Sequence, residues 1–116
     1  PLRFCLAAGM PESSDSDFTW REFVRRNNDE LVATYGNLVH RVLTFTYRNF
    51  QERIPTPGSF DQRSQDLLDM RTQALRETSV ALEGCRFRDA LKVAMALAQD
   101  TNRYLDEKAP WKVWDE

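Results

Sequence analysis

The apolar residues near the C-terminus recur every three or four positions, and this spacing restricts the fold more than any other feature. One file contains Phe87, Leu91, Ala94, Ala98, Thr101 and Leu105, with Ala90, Leu97 and Tyr104 beside it. Such spacing places side chains along one face of an α-helix, whereas a half-buried strand alternates every second residue. The alanines in this file predict a close contact with another helix.

Two earlier segments have the same periodicity. The first, over about residues 29–49, carries Leu31, Tyr35, Leu38, Val42, Phe45 and Asn49, and the second, over about residues 61–83, carries Leu68, Leu75 and Leu82 at heptad spacing. We expect Pro55, Pro57 and Gly58 to end the first helix, because proline lacks an amide donor. Gly84 is the expected C-cap of the second. No convincing alternating segment occurs, so the sequence predicts an all-α antiparallel helical bundle.

A shorter helical element should precede this bundle. Residues 1–9 have a helical composition without an initiator methionine, which we interpret as part of a larger protein, and a polar loop over residues 10–17 follows. Thr19 and Glu22 have the spacing of a capping box, so a helix should begin at Trp20. The Asn and Asp residues of segment 25–29 predict a break or kink, with a new helix beginning near Asp29.

The composition excludes several functional classes. The 116 residues suffice for one core, and the formal charge of -2 provides no general attraction for nucleic acid. No apolar run approaches the ~18 residues of a membrane span and no signal peptide is visible, so we expect a soluble, cytoplasmic protein. Cys5, Cys85 and the single histidine, His40, predict neither a disulfide framework nor a metal site. Without a glycine-rich phosphate loop or paired catalytic groups, we expect no active site.

One polar flank of the helix over residues 29–49 suggests recognition of a planar partner. At about 100° per residue, Asn37, Arg41 and Arg48 lie on one shoulder with Thr44 beside them. An amide and a guanidinium one turn apart suit the exposed edge of an unpaired base, and an indole could add a stacking surface. Trp111 is the candidate indole, although the residues alone favour Trp111 as a packing anchor that fastens the end of the last helix to the core.

Two stretches resemble a known family. "NNDELVATYGNLVHRVLTF" (27–45) and "FRDALKVAMALAQDTNRYLDEKAPW" (87–111) are similar to the anticodon-binding domain of class I methionyl-tRNA synthetases. The specific features are the Gly-Asn-x-x-x-Arg segment ending at Arg41 and the Ala-Pro-Trp segment ending at Trp111. Related synthetases for leucine, isoleucine, valine and cysteine share the bundle but lack this combination.

The resemblance implies roles for particular residues. Asn37 and Arg41 match the helix residues that hydrogen-bond anticodon bases, Trp111 matches the tryptophan that meets the first anticodon base, and Pro110 sets its approach. Arg48 is a supporting residue. The implied partners are the CAU anticodon loop of tRNA(Met) and the catalytic domain of the same polypeptide. Residues 1–28 would be the tail of the segment joining the two domains, and residues 29–116 the anticodon-binding domain.

The family's His-Ile-Gly-His and Lys-Met-Ser-Lys-Ser signatures are missing from this chain. We therefore expect no catalytic residue and no cofactor here, with ATP and magnesium used only by the full-length protein. Two alternatives remain: the corresponding domain of another class I synthetase, and a helical protein-interaction module whose Trp111 and Trp114 are contact anchors.

Overall fold

The computed structural model describes residues 1–12, 15–51 and 53–113, in which every regular element is a helix. In chain order these are α1 (Leu2–Ala8), α2 (Trp20–Arg25), a π-helical segment (Arg26–Gly36), α3 (Asn37–Asn49), α4 (Gln62–Glu83), α5 (Phe87–Lys108) and the single turn α6 (Pro110–Val113). The expected all-α class is confirmed. Trp114 lies outside the described residues, as do Ser13 and Ser14 of the polar loop.

The predicted start of α2 at Trp20 is confirmed. Thr19 has an extended backbone and its hydroxyl accepts a hydrogen bond from the amide of Glu22, so the helix begins at Trp20. The Glu22 carboxylate pairs with Arg25 and Arg26. This pairing holds the pKa of Glu22 down at about 2, chiefly through the hydrogen bond from Arg25.

The predicted break near residues 25–29 is wrong. Arg26 has helical backbone angles, and the chain continues from Trp20 to Asn49 without leaving the helical region. The Asn and Asp residues instead lie in the π-helical segment, where the Thr34 hydroxyl donates to the carbonyl of Asp29 five residues earlier. The wider turns of a π-helix keep the backbone hydrogen-bonded and change the direction of the side chains, so no new helix begins at Asp29.

Helix α5 is the central element of the fold. It packs along α4 and also contacts α1, the π-helical segment and α3. Ala81 of α4 and Ala90 and Ala98 of α5 are almost fully buried, which confirms that small residues form the close contact. Among the described residues, however, no large side chain is completely buried.

The predicted packing face of α4 is correct only at Leu68, which is half-buried. Leu75 is 67% exposed and Leu82 is 48% exposed, whereas Ala81 is only 3% exposed. Leu67, Ala74 and Ala81 are also spaced by seven residues, and none of them is exposed. The sequence contains both files, and the larger leucines favoured the less buried one.

The predicted face of α3 is correct only in part. Leu31, Leu38 and Phe45 are half-buried, whereas Tyr35 and Val42 remain exposed. Leu31, Leu38 and Phe45 keep their seven-residue spacing across the π-helical segment, whereas Tyr35 and Val42, each four residues further on, lie at the exposed margin of the same face. Helix α3 ends at Asn49, before the chain reaches Pro55.

The predicted face of α5 has one exception, because Ala94 is exposed.

The turn between α4 and α5 forms a Schellman motif. Gly84 is the C-cap, as predicted, and the amides of Cys85 and Arg86 donate to the carbonyls of Leu82 and Ala81. Cys85 has a φ of 55°, so the left-handed position belongs to this cysteine and not to the preceding glycine.

None of the helices in the described ranges combines the length and the apolar composition that a membrane-spanning helix requires.

Candidate functional site

A surface cleft lies where α3 faces the start of α6. Its volume is about 400 Å³. The residues around it come from the second half of α3 and from the indole that follows Pro110: His40, Arg41, Thr44, Phe45, Arg48, Asn49 and Trp111. The structure therefore brings together Arg41, Arg48 and Trp111, together with the neighbouring Thr44.

Arg41 and Trp111 are in direct contact. The guanidinium carbon of Arg41 lies 4.9 Å from the centre of the Trp111 ring, within the range of a cation–π interaction. Trp111 is 38% exposed, so part of the indole remains open to solvent at the cleft. The indole is neither buried away from Arg41 nor fully extended into water.

The backbone before Trp111 makes a sharp change of direction. Helix α5 ends at Lys108, and Ala109 adopts a left-handed conformation with φ 40° while its amide still donates to the carbonyl of Leu105. Pro110 then begins α6, where its fixed φ is compatible with the first helical position and its missing amide costs no hydrogen bond. Together these two residues turn the chain so that the indole returns to α3.

The opposite side of the Arg41 guanidinium is held by α5. One terminal nitrogen donates to the Asn102 side-chain oxygen at 3.4 Å, and the other donates to the Asp106 carboxylate at 2.5 Å. Asn102 in turn donates to the backbone carbonyl of Thr34 at 3.0 Å. Arg41 is thus fixed in a plane between two polar groups of α5 and the face of Trp111.

Asn37 lies one helical turn before Arg41, at the first residue of α3. Its side chain is exposed, and within the described part of the chain it has no hydrogen-bond partner. Asn37 does not line the cleft, but it shares the helix face of Arg41 because four residues separate them. A Cβ on the preceding Gly36 would lie 3.0 Å from the Leu31 carbonyl oxygen, so glycine permits the last wide turn to close before Asn37.

The charge around the cleft is smaller than its arginines suggest. Asp106 offsets the charge of Arg41, whereas Arg48 is exposed and, among the described residues, has no carboxylate partner. Lys112 is also exposed and follows Trp111 directly. The cleft therefore combines one paired guanidinium with one free guanidinium at its edge.

Sequence reasoning missed several residues of this site. His40 and Asn49 line the cleft, while Asn102 and Asp106 orient Arg41. Asn102 and Asp106 are one turn apart on α5, and this spacing was the available signal.

The arrangement suits non-covalent recognition of a flat, polar ligand. Two of the five N–H groups of Arg41 are engaged, which leaves three for a ligand. A partly exposed indole provides a stacking surface beside them. The described residues contain no cluster of His, Cys, Asp or Glu suited to hold a metal ion.

Comparison with known proteins identifies the family. A model described as tRNA synthetases class I (M) matches residues 1–43. A methionine–tRNA ligase of Dehalococcoides mccartyi is 64% identical over 111 residues, which cover 96% of this chain and 20% of that relative. Ligases of the same name from Thermomicrobium roseum and Chloroflexus aurantiacus are 50% and 49% identical over 96% and 97% of this chain, and over 19% and 18% of their own lengths. The chain spans about a fifth of the length of the curated relatives it matches. By this similarity it belongs to the methionine–tRNA ligase family of class I tRNA synthetases.

Proposed function

We propose that this chain recognises the CAU anticodon of tRNA(Met) as the anticodon-binding domain of a methionine–tRNA ligase. Residues 29–116 would form that domain, and residues 1–28 would join it to the catalytic domain. The full-length protein would attach methionine to the tRNA, because the relatives that match this chain are named methionine–tRNA ligases. Its use of ATP and magnesium is what the resemblance to that family implies. The fragment itself would contribute recognition and no chemistry.

The observation that carries the proposal is the contact between Arg41 and the partly exposed Trp111 ring. The two residues are far apart in sequence, yet the turn at Ala109 and Pro110 brings them to one surface. An unpaired base could stack on the free part of the indole while its edge accepts hydrogen bonds from the remaining Arg41 donors. The free Asn37 amide, one turn away, could donate to and accept from a neighbouring base.

The test is equilibrium binding of anticodon stem-loops that differ only at the anticodon. Trp111→Ala removes the stacking surface and should weaken binding to most stem-loops by about 5- to 140-fold, the equivalent of roughly 1–3 kcal/mol per stacked base. Arg41→Lys replaces a planar fork by a point charge and should reduce the preference for CAU over other anticodons.

Matched variants elsewhere on the surface control for changes in fold. Trp20 is 73% exposed on α2, and Arg103 pairs with Asp100 on an exposed part of α5. Trp20→Ala and Arg103→Lys should leave affinity and preference unchanged. If Trp111→Ala unfolds the domain and Arg41→Lys leaves anticodon preference intact, the site is misassigned and a protein-interaction role replaces it.

A further inference from the structure

We propose that Lys108 and Asp61 form a latch that positions Trp111, and this inference deepens the proposed function on which it rests. Lys108 is the last residue of α5, and its ammonium donates to the Asp61 carboxylate at the start of α4. Trp111 follows three residues later. In this proposal, Lys108 and Asp61 touch no ligand; they hold the backbone that leads to Trp111.

Asp61 is a fixed partner for this latch because its carboxylate also caps α4. One oxygen accepts from the amide of Ser64 at 2.9 Å and from the Ser64 hydroxyl, while the other oxygen accepts from Lys108. These contacts hold the pKa of the Asp61 carboxyl well below its usual range, with the Lys108 hydrogen bond as the largest cause. The same contact raises the pKa of Lys108.

The surrounding side chains restrict the Lys108 ammonium further. It lies 5.6 Å from the centre of the Tyr104 ring, and the Tyr104 hydroxyl shares a 2.8 Å hydrogen bond with Ser64. Glu107, which directly precedes Lys108, pairs with Arg63 of α4 at 2.7 Å. The last turn of α5 is thus fastened to the first turn of α4 by several contacts, of which Lys108–Asp61 is the closest in sequence to the turn.

Fastening this turn matters because Ala109 lies immediately beyond it in a left-handed conformation. A non-glycine residue with φ 40° persists only when its surroundings hold it there. If the last turn of α5 frays, Ala109 can relax to a right-handed or extended conformation, and Pro110 then directs the indole away from Arg41. The latch would prevent that relaxation.

The chain offers variants that separate the latch from the helix cap. Asp61→Asn keeps a good N-cap for α4 but removes the charge that Lys108 contacts. Lys108→Met keeps a flexible apolar side chain and removes the ammonium, whereas Lys108→Arg retains a cation. Glu107→Gln is the matched control, because it breaks the neighbouring ion pair between the same two helices.

The primary measurement needs no RNA. The side-chain protons of Arg41 lie near the Trp111 ring, so NMR should show them displaced by its ring current in the wild-type chain. We expect Lys108→Met and Asp61→Asn to return these resonances toward unstacked values, with Lys108→Arg restoring them and Glu107→Gln leaving them as in the wild type.

Stem-loop binding is the second measurement. The two latch variants should weaken binding about 5-fold for all anticodons alike, at the lower end of the loss expected when a stacking surface disappears. Unchanged Arg41 resonances in both latch variants, or an equal change in Glu107→Gln, would overturn the latch. A wild-type chain that binds no stem-loop would instead contradict the proposed function, while the NMR comparison would still decide the latch.

Discussion

Replacing Leu75 by alanine tests which face of α4 packs against α5. The sequence pattern places Leu75 in the centre of a heptad file, where truncation of a core leucine usually costs about 2–5 kcal/mol. In the structure this side chain is 67% exposed and the neighbouring file, which contains Ala81, makes the contact. The two faces predict different free energies of unfolding.

The expected cost follows from the exposure. Complete burial of a leucine side chain is worth roughly 1.5–3 kcal/mol, so covering one third of its surface accounts for about 0.5–1 kcal/mol. Alanine returns a few tenths of a kcal/mol through its higher helix propensity and keeps part of the covered surface. We therefore expect Leu75→Ala to lower the free energy of unfolding by no more than about 0.5 kcal/mol.

The complementary change is Ala81→Leu. Ala81 is 3% exposed between the two helices, and forcing a larger side chain into such a contact typically costs about 1–3 kcal/mol. Urea unfolding followed by circular dichroism would measure both variants. A loss above about 2 kcal/mol for Leu75→Ala, with a tolerated Ala81→Leu, would refute the observed register of α4.

Three further outcomes are expected. Cys85→Gly should raise the free energy of unfolding by about 0.5–1 kcal/mol in a urea melt, because glycine relieves the left-handed φ of 55°; a loss of stability would contradict this. The pKa values of Glu22 and Asp61 are lower in the folded chain than in the unfolded chain, so the unfolded chain binds more protons as the pH falls. The free energy of unfolding should therefore fall below about pH 4.5, and Glu22→Gln should flatten its profile against pH. Finally, Arg48→Gln should reduce the salt dependence of stem-loop binding by a slope of about 0.7, the value for one single-strand phosphate contact, and an unchanged slope would exclude that contact.

The periodicity of the sequence was sufficient for the helices but not for every packing face. Helix α5 has one strong file, so most of its buried residues followed from spacing, although Ala94 of that file is exposed. Helix α4 has two files offset by one residue, and size favoured Leu75 although close helix contact selects alanine. The π-helical segment gave no distinct signal, since its Asn and Asp residues equally suit a break.

The candidate site was only partly accessible from the sequence. The shoulder with Arg41 and Arg48 follows from the helical period, because these residues lie on the same element. The contact with Trp111 depends on the left-handed Ala109, and neither composition nor spacing predicts that conformation in an alanine. The residues alone did not decide whether Trp111 is a packing anchor or a stacking surface. The resemblance to the synthetases is what favours the stacking surface.

Under the proposed function, a chain of net charge -2 in which Arg41 is paired with Asp106 would bind RNA through the direction of its hydrogen-bond donors and not through a positive field. A guanidinium balanced by a carboxylate attracts phosphate weakly, but its planar N–H groups keep their direction. Asn102 and Trp111 restrict that plane from two further sides, so the cost of ordering Arg41 falls before any ligand arrives. Under the proposed function, the site therefore favours recognition of base edges, and Arg48 supplies the nearby free charge.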